Sequence, residues 1–188
     1  MKTINYLLIL LFVVNIISCK SKKEIAKTTN STEIKLPFEG KQYQTDKNYF
    51  RSVQSGISSD VNTAKEIAMM NARSEISYSV KTISKNVSEI YTKQIDGDHG
   101  EDFDRISRQV SKEILTNIVV ADHKVLQNNK DGKYTYWIVV EVKKEDVITN
   151  ISNQAKKDNI KFDKYQFQKI FDKEMDEYQK SQADVSKQ

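Results

Sequence analysis

The densest group of side chains able to do chemistry runs from Asp96 to Asp104, with Asp96, Asp98, His99, Glu101, Asp102 and Asp104 in one short stretch. Oxygen ligands at that density suggest a hard cation such as calcium. An EF-hand loop needs oxygens at positions 1, 3 and 5, glycine at 6 and glutamate at 12. Counted from Asp96, Gly100 takes position 5 and Glu101 position 6, so the spacing fails and a solvated helix–helix turn is expected. The two histidines, His99 and His123, fall in that turn and on a strand edge. With no cysteine besides Cys19, which the N-terminus assigns to another use, a cysteine-based zinc site and a Cys/His nucleophile are both unexpected. Serines abound, yet Gly-x-Ser-x-Gly is absent, and five glycines leave little for an oxyanion loop or a phosphate cradle. Tyr134, Tyr136 and Trp137 beside Lys133 are types that stack on nucleic-acid bases, but aromatics at strand spacing belong to a core. The residues therefore predict no catalytic, metal or cofactor-binding group and a non-enzymatic protein.

One side chain does predict a reaction. Met1-Lys2-Thr3 precedes an apolar run from Tyr6 to Ile17, broken only by Asn15, and Ser18-Cys19 follows. A basic start, about a dozen apolar residues and a small residue before the cut describe a secretory signal over residues 1–18. The run falls short of the ~20 residues that a spanning helix requires. Cys19, the only cysteine, resembles the acylated cysteine of the bacterial lipoprotein lipobox, although Ile16 and Ile17 stand where leucine and alanine are more usual. A buried thiol and an intermolecular disulfide are the other uses of such a residue. Lipidated, Cys19 would anchor the chain, since each buried acyl CH₂ contributes ~0.8 kcal/mol and stable residence takes more than one chain. No thiol would then remain for a disulfide, so the core alone must hold the fold.

Composition agrees with one domain plus a tether. Thirty basic and twenty-six acidic side chains are well mixed, with no block of five like charges, which excludes a nucleic-acid footprint. Removing residues 1–18 takes away Lys2 alone, so the formal charge falls from +4 to +3. Lys20 to Gly40 is polar, aperiodic and carries the only proline, Pro37. It reads as a flexible tether, with residues 19–46 assigned to it as a whole. Lys20, Lys22 and Lys23 are available either to anionic headgroups or to solvent.

The element that must position everything else is a helix from Asp60 to about Gln94. Val61, Ala64, Ala68, Ala72, Ile76, Val80, Ile83, Val87 and Ile90 recur at steps of three and four, giving one apolar stripe along roughly 50 Å. Such a stripe needs a flat partner, and small residues in its first half predict the closest crossing there. Ser58-Ser59-Asp60 offers N-caps, and the Asp60 carboxylate suits the helix dipole. Asn71 is expected to bond a neighbouring backbone.

Around it, Asn48–Ser55 is a weak first strand, with Phe50, Ser52 and Gln54 on one face. Gly56 permits either a tight bend or a close backbone approach. After the Ile95–Glu101 turn, Phe103, Ile106, Val110, Ile114 and Ile118 mark a second helix, antiparallel to the end of the first. Val119–Asn128 and Lys133–Val142 read as a hairpin about Asp131-Gly132. Its second arm is the richest β segment and a central strand, with Tyr134, Tyr136, Ile138, Val140 and Val142 facing the helix. Trp137 and Val139 face the other way and are expected to be partly covered. A helix follows to about Gln154, then another over Asp163 to Gln179 with Tyr165 or Phe167, Ile170, Phe171, Met175 and Tyr178 on one flank. Residues 181–188 read as a polar tail.

These residues resemble the LPP-twenty family, small bacterial lipoproteins named for a twenty-kilodalton outer-membrane antigen. The likeness rests on Phe50 to Gly56, on Ala64, Ala68 and Asn71-Ala72-Arg73-Ser74-Glu75-Ile76, and on the aromatic strand after Asp131-Gly132. It covers residues 47–145, leaving 146–180 as a C-terminal helical extension. The chain has one glycine where members often have two in the first strand, and Trp137-Ile138-Val139 where smaller residues are common. The resemblance implies an α+β envelope domain on the outer membrane, without known catalytic residues. Similar folds in a flagellar accessory protein and a secreted host-interacting protein imply binding or assembly.

The expected protein is thus lipid-anchored at Cys19, facing the periplasm, since the basic residues after Cys19 are unlike an acidic surface-export signal. It would interact with or scaffold an envelope protein through the sheet's free face or edge, with homo-oligomers possible and nucleic acid excluded. The alternative is a carrier holding an apolar ligand between helix and sheet, which needs a pocket of ~300 Å³ or more.

Overall fold

The computed structural model describes residues 34–94 and 99–185. Cys19, the apolar run before it and most of the tether lie outside the described residues, as do Asp96 and Asp98 of the acidic turn. After a short 3-10 turn over Lys41–Tyr43 come β1 (Tyr49–Ser58), α1 (Val61–Gln94) and α2 (Gly100–Glu113). A second 3-10 turn, Ile114–Asn117, leads to β2 (Val119–Gln127), β3 (Tyr134–Lys143), α3 (Lys144–Lys157) and α4 (Lys164–Val185). The strands form one antiparallel sheet in the order β1-β3-β2, so the fold is α+β with the aromatic strand at its centre.

Capping starts α1 where the sequence places it. Asp60 Oδ1 accepts the Thr63 N–H at 2.8 Å and the Thr63 hydroxyl at 3.0 Å. Those bonds hold the Asp60 carboxyl below its ordinary range. The stripe from Ala64 through Val87 is buried as spaced, and Val61 and Ile90 pack at its margins.

Gly56 resolves as a close approach, not a bend. β1 continues two residues past it to Ser58. A Cβ on Gly56 would lie 2.2 Å from the Ala64 carbonyl oxygen and 2.6 Å from the Ala68 nitrogen. Glycine in the strand and alanine in the helix together let the two backbones touch. Asn71 fixes the crossing by donating from Nδ2 to the Ser55 carbonyl at 3.1 Å.

The sheet cannot carry the whole helix. Ten-residue strands reach about 33 Å at ~3.3 Å per residue, and the 34 residues of α1 reach about 50 Å. The second half of α1 is instead flanked by α2 and α4, with α3 packed against both of them. Antiparallel α2 runs along one flank, with Ser77 Oγ donating to the Ser111 carbonyl, Ser88 Oγ meeting Ser107 Oγ at 3.1 Å, and Tyr91 packing edge-on to Phe103. Along another flank α4 runs back, pairing Gln166 with Gln94 and Tyr178 with Ser79. α3 closes the group through Arg105–Asp158 at 2.8 Å and through contacts of Lys144 with Asp172 and Lys164 with Glu145.

Val147, Ile148, Ile151, Phe167, Phe171 and Met175 share one core with the α1 stripe and the inner face of β3. The C-terminal helices therefore complete the domain. α4 also continues to Val185, past the predicted start of a polar tail, because its Met175–Tyr178 flank still has α1 to pack on. Tyr91 sits at the aromatic centre, with ring centroids of Phe103, Phe167 and Phe162 at 5.4, 5.3 and 5.6 Å.

Candidate interaction surface

β2 is an edge strand that buries nothing: all nine residues are exposed except Asp122, which is half-covered. The helices pack on β1 and β3 and leave β2 bare. Val119, Val120, Val125 and Leu126 are 41–58 % exposed. Val120, His123 and Val125 continue the helix-side face, where the His123 ring stacks on Tyr136 at 5.6 Å. Val119, Asp122, Lys124 and Leu126 continue the outer face. The register slips between Val120 and Asp122, so Ala121 is the extra residue of a β-bulge.

The hairpin end sets which backbone groups point outward. Asn128 donates to the Lys133 carbonyl at 2.8 Å, and bonding alternates from there along an antiparallel ladder. Val120, His123, Val125 and Gln127 therefore direct N–H and C=O away from β3. The His123 N–H donates to the Asp122 carboxylate at 2.8 Å. Those of Val125 and Gln127 have no partner among the described residues.

The opposite edge is closed over Tyr49–Arg51, by the end of the 35–46 segment, and at the Ser55 carbonyl by Asn71. The predicted tether is thus docked structure in its last part. Thr45 Oγ accepts the Arg51 N–H at 2.9 Å and donates to the Arg51 carbonyl at 3.1 Å, closing the ladder of β1. Arg51 pairs with Asp46 at 2.5 Å and, across the strands, with Glu141 at 3.0 Å. Burial disfavours charge on both Asp46 and Arg51, but their mutual hydrogen bond outweighs it, with help from Glu141 and from the Asn48 and Tyr49 N–H groups. The Asp46 carboxyl is left below its ordinary range and the guanidinium above its own. Tyr43 reaches Asp122 of β2 at 3.3 Å. The path from beside β1 to β2 crosses the outer face, which accounts for Val139 being fully buried outside the helix-side core. Trp137 is half-buried there, as expected. A groove of about 300 Å³ between this segment, Val53, Glu75 and Tyr178 runs along the β1 edge.

No family model, curated protein or solved structure matches this chain. The surface must be read from its own residues. Among the described residues the candidate chemistry is not gathered into a site. Asp102 and Asp104 pair with Arg105 and Arg108 along α2, His99 faces Asp102 at 3.6 Å, and His123 belongs to β2. Among the described residues no three His, Cys, Asp or Glu are placed to hold a metal, and no helix is long and apolar enough to cross a membrane. Sequence reasoning missed the bulge at Ala121 and the docking of Tyr43 and Thr45. The aromatic pair Phe38 and Tyr43, in contact at 4.9 Å, was the available signal that the tether folds.

Proposed function

We propose that this chain is a lipid-anchored lipoprotein of the bacterial outer membrane, facing the periplasm, that acts without catalysis as an interaction or scaffolding module. The contact surface is the β2 edge. The observation that carries the interaction role is the contrast between the edges: β1 has outward groups of Tyr49, Arg51 and Ser55 taken by Asp46, Thr45 and Asn71, whereas the outward groups of Val125 and Gln127 on β2 have no partner among the described residues and four large apolar side chains of that strand stand in solvent. Native sheets ordinarily blunt an edge of that length, and an extended segment adding to it would gain main-chain bonds and side-chain contacts together. The anchor rests on Cys19 after its apolar run, and the LPP-twenty resemblance supports the same location. A carrier role between helix and sheet has less support, because the Gly56–Ala64 approach leaves no room for a ligand at that crossing.

Two experiments test the reading. Cys19→Ser is expected to move the protein from the membrane fraction to the soluble fraction; continued fractionation with membranes would refute the anchor. A photo-reactive residue at Val125 is expected to cross-link β2 to protein in intact cells, and one at Tyr49, where both backbone groups are taken by Asp46, is not. No cross-link from Val125 would refute β2 as the contact surface.

A further inference from the structure

The side chains of β2 are arranged so that the strand complements itself. With Ala121 set aside as the bulged residue, the ladder positions read Val119, Val120, Asp122, His123, Lys124, Val125 and Leu126. About His123 this order is symmetric in character and opposite in charge. Turned over and laid antiparallel against a second β2, it sets Asp122 opposite Lys124, Val120 opposite Val125 and Val119 opposite Leu126, with His123 facing its own copy.

Each of these pairs also meets the geometric demands of a ladder. Residues directly opposite in a sheet must share a face. Asp122 and Lys124 both lie on the outer face, Val120 and Val125 on the helix side, and Val119 and Leu126 on the outer face, judged by their β3 partners Val139, Trp137, Val140, Tyr136, Glu141 and Thr135. Opposite residues must also agree in whether their backbone groups point toward the partner. Val120, His123 and Val125 point outward, and Val119, Asp122, Lys124 and Leu126 point toward β3. Every pair matches. The bulge makes this possible, because it shifts Val119 and Val120 by one position and returns them to the faces that Leu126 and Val125 occupy. Without it, Val125 would oppose Ala121 and Leu126 would oppose Val120, and the match of Val119 with Leu126 would be lost.

Neighbouring registers fail. Centring on Asp122 or Lys124 opposes like charges, and centring on Val125 sets Lys124 against Leu126. We infer that the occupant of the β2 edge is a second copy of this chain, paired antiparallel about His123, giving a continuous six-stranded sheet in the order β1-β3-β2-β2-β3-β1. All four exposed apolar residues of the strand then cover one another, and two Asp122–Lys124 pairs fix the register, each Asp122 carboxylate leaving the Tyr43 hydroxyl and the His123 N–H, which is freed to bond the carbonyl of the facing His123. This rests on the β2-edge reading above and names its partner.

Single-cysteine scanning in the full chain carrying Cys19→Ser tests it. The two-fold brings His123 against its copy with Cα atoms ~5.5 Å apart, within the ~4.4–6.8 Å that a disulfide spans. His123→Cys is expected to give an oxidised dimer, whereas Val125→Cys and Gln127→Cys stay monomeric. In sedimentation velocity, Lys124→Asp should weaken self-association about tenfold or more by making both pairs repulsive, and adding Asp122→Lys should restore it. Lys124 is exposed, and unchanged circular dichroism would exclude misfolding as the cause. Cross-linking at Val125→Cys in place of His123→Cys, or a failed charge swap, would overturn the register. A chain that stays monomeric and cross-links from Val125 only to other proteins in cells would overturn the second copy while leaving the edge reading intact. No cross-link of either kind would remove both.

Discussion

Gly56 of β1 lies beneath Ala64 of α1 so closely that a methyl group on the glycine would sit 2.2 Å from the alanine's carbonyl oxygen. The obstructing atom is backbone, which cannot swing aside as a side chain would. Gly56→Ala is therefore expected to cost about 3 kcal/mol, the upper end of the range for overpacking. Urea denaturation measures it. A variant as stable as the parent would mean that strand and helix do not meet there.

Ser84 is fully buried in α1, and its hydroxyl oxygen has no hydrogen-bond partner among the described residues. Its backbone carbonyl, which accepts from Ser88 and Ser107, would survive a side-chain change. Ser84→Ala removes an unpaired polar atom and improves helix propensity, so stability should hold or rise by up to about 1 kcal/mol. A marked fall in melting temperature would show that the hydroxyl is bonded.

Tyr91 joins packing to a polar contact. Its hydroxyl accepts the Asp163 N–H at 2.6 Å just before α4 begins, and its ring touches three phenylalanines. Tyr91→Phe keeps the ring and should cost about 1 kcal/mol for the lost bond, whereas Tyr91→Ala should cost ~3–5 kcal/mol. Equal losses in the two variants would place the stabilisation in the hydroxyl alone.

Asp46 supplies a pH signature. Burial raises its pKa, but the bond from Arg51 and those from the Asn48 and Tyr49 N–H groups lower it further, so the native value lies below the unfolded one. A depressed native pKa stabilises the fold fully above the unfolded value near pH ~4 and is lost as the pH drops through the native value. The difference in urea midpoint between the parent and Asp46→Asn should stay constant from neutral to mildly acidic pH and close below about pH 4. A gap that persists in stronger acid would separate Asp46 from the titration.

At Gly56 the sequence left a bend and a close approach open; the amphipathic stripe of α1, the Asp60 cap, the hairpin and the inner face of β3 were legible. Each rests on local periodicity or on a residue with a narrow conformational role. What covers the second half of α1 was not legible, because a stripe shows that a side is buried and not what buries it. Ser84, Ser88, Ser107 and Ser111 read as polar surface yet are buried between α1 and α2. Serine is small enough for close helices, and Ser88 satisfies itself on the Ser84 carbonyl of its own helix. Tyr91, next in sequence to the predicted Ile90, takes the deeper position because its ring completes the aromatic group. The bulge at Ala121 left no signal, since alanine between Val120 and Asp122 continues an ordinary strand pattern. Of the interaction surface, the apolar residues were visible and their exposure was not.

One rod spliced into two layers has a consequence for where this molecule can be cut. Stopping the chain at residue 145, just after β3, would strip α4 and nearly all of α3 from the second half of α1 and leave its greasy side covered by α2 on one flank only. The C-terminal helices are thus the keel of the molecule, and a fragment lacking them should collapse or clump instead of surviving as a smaller version of the whole.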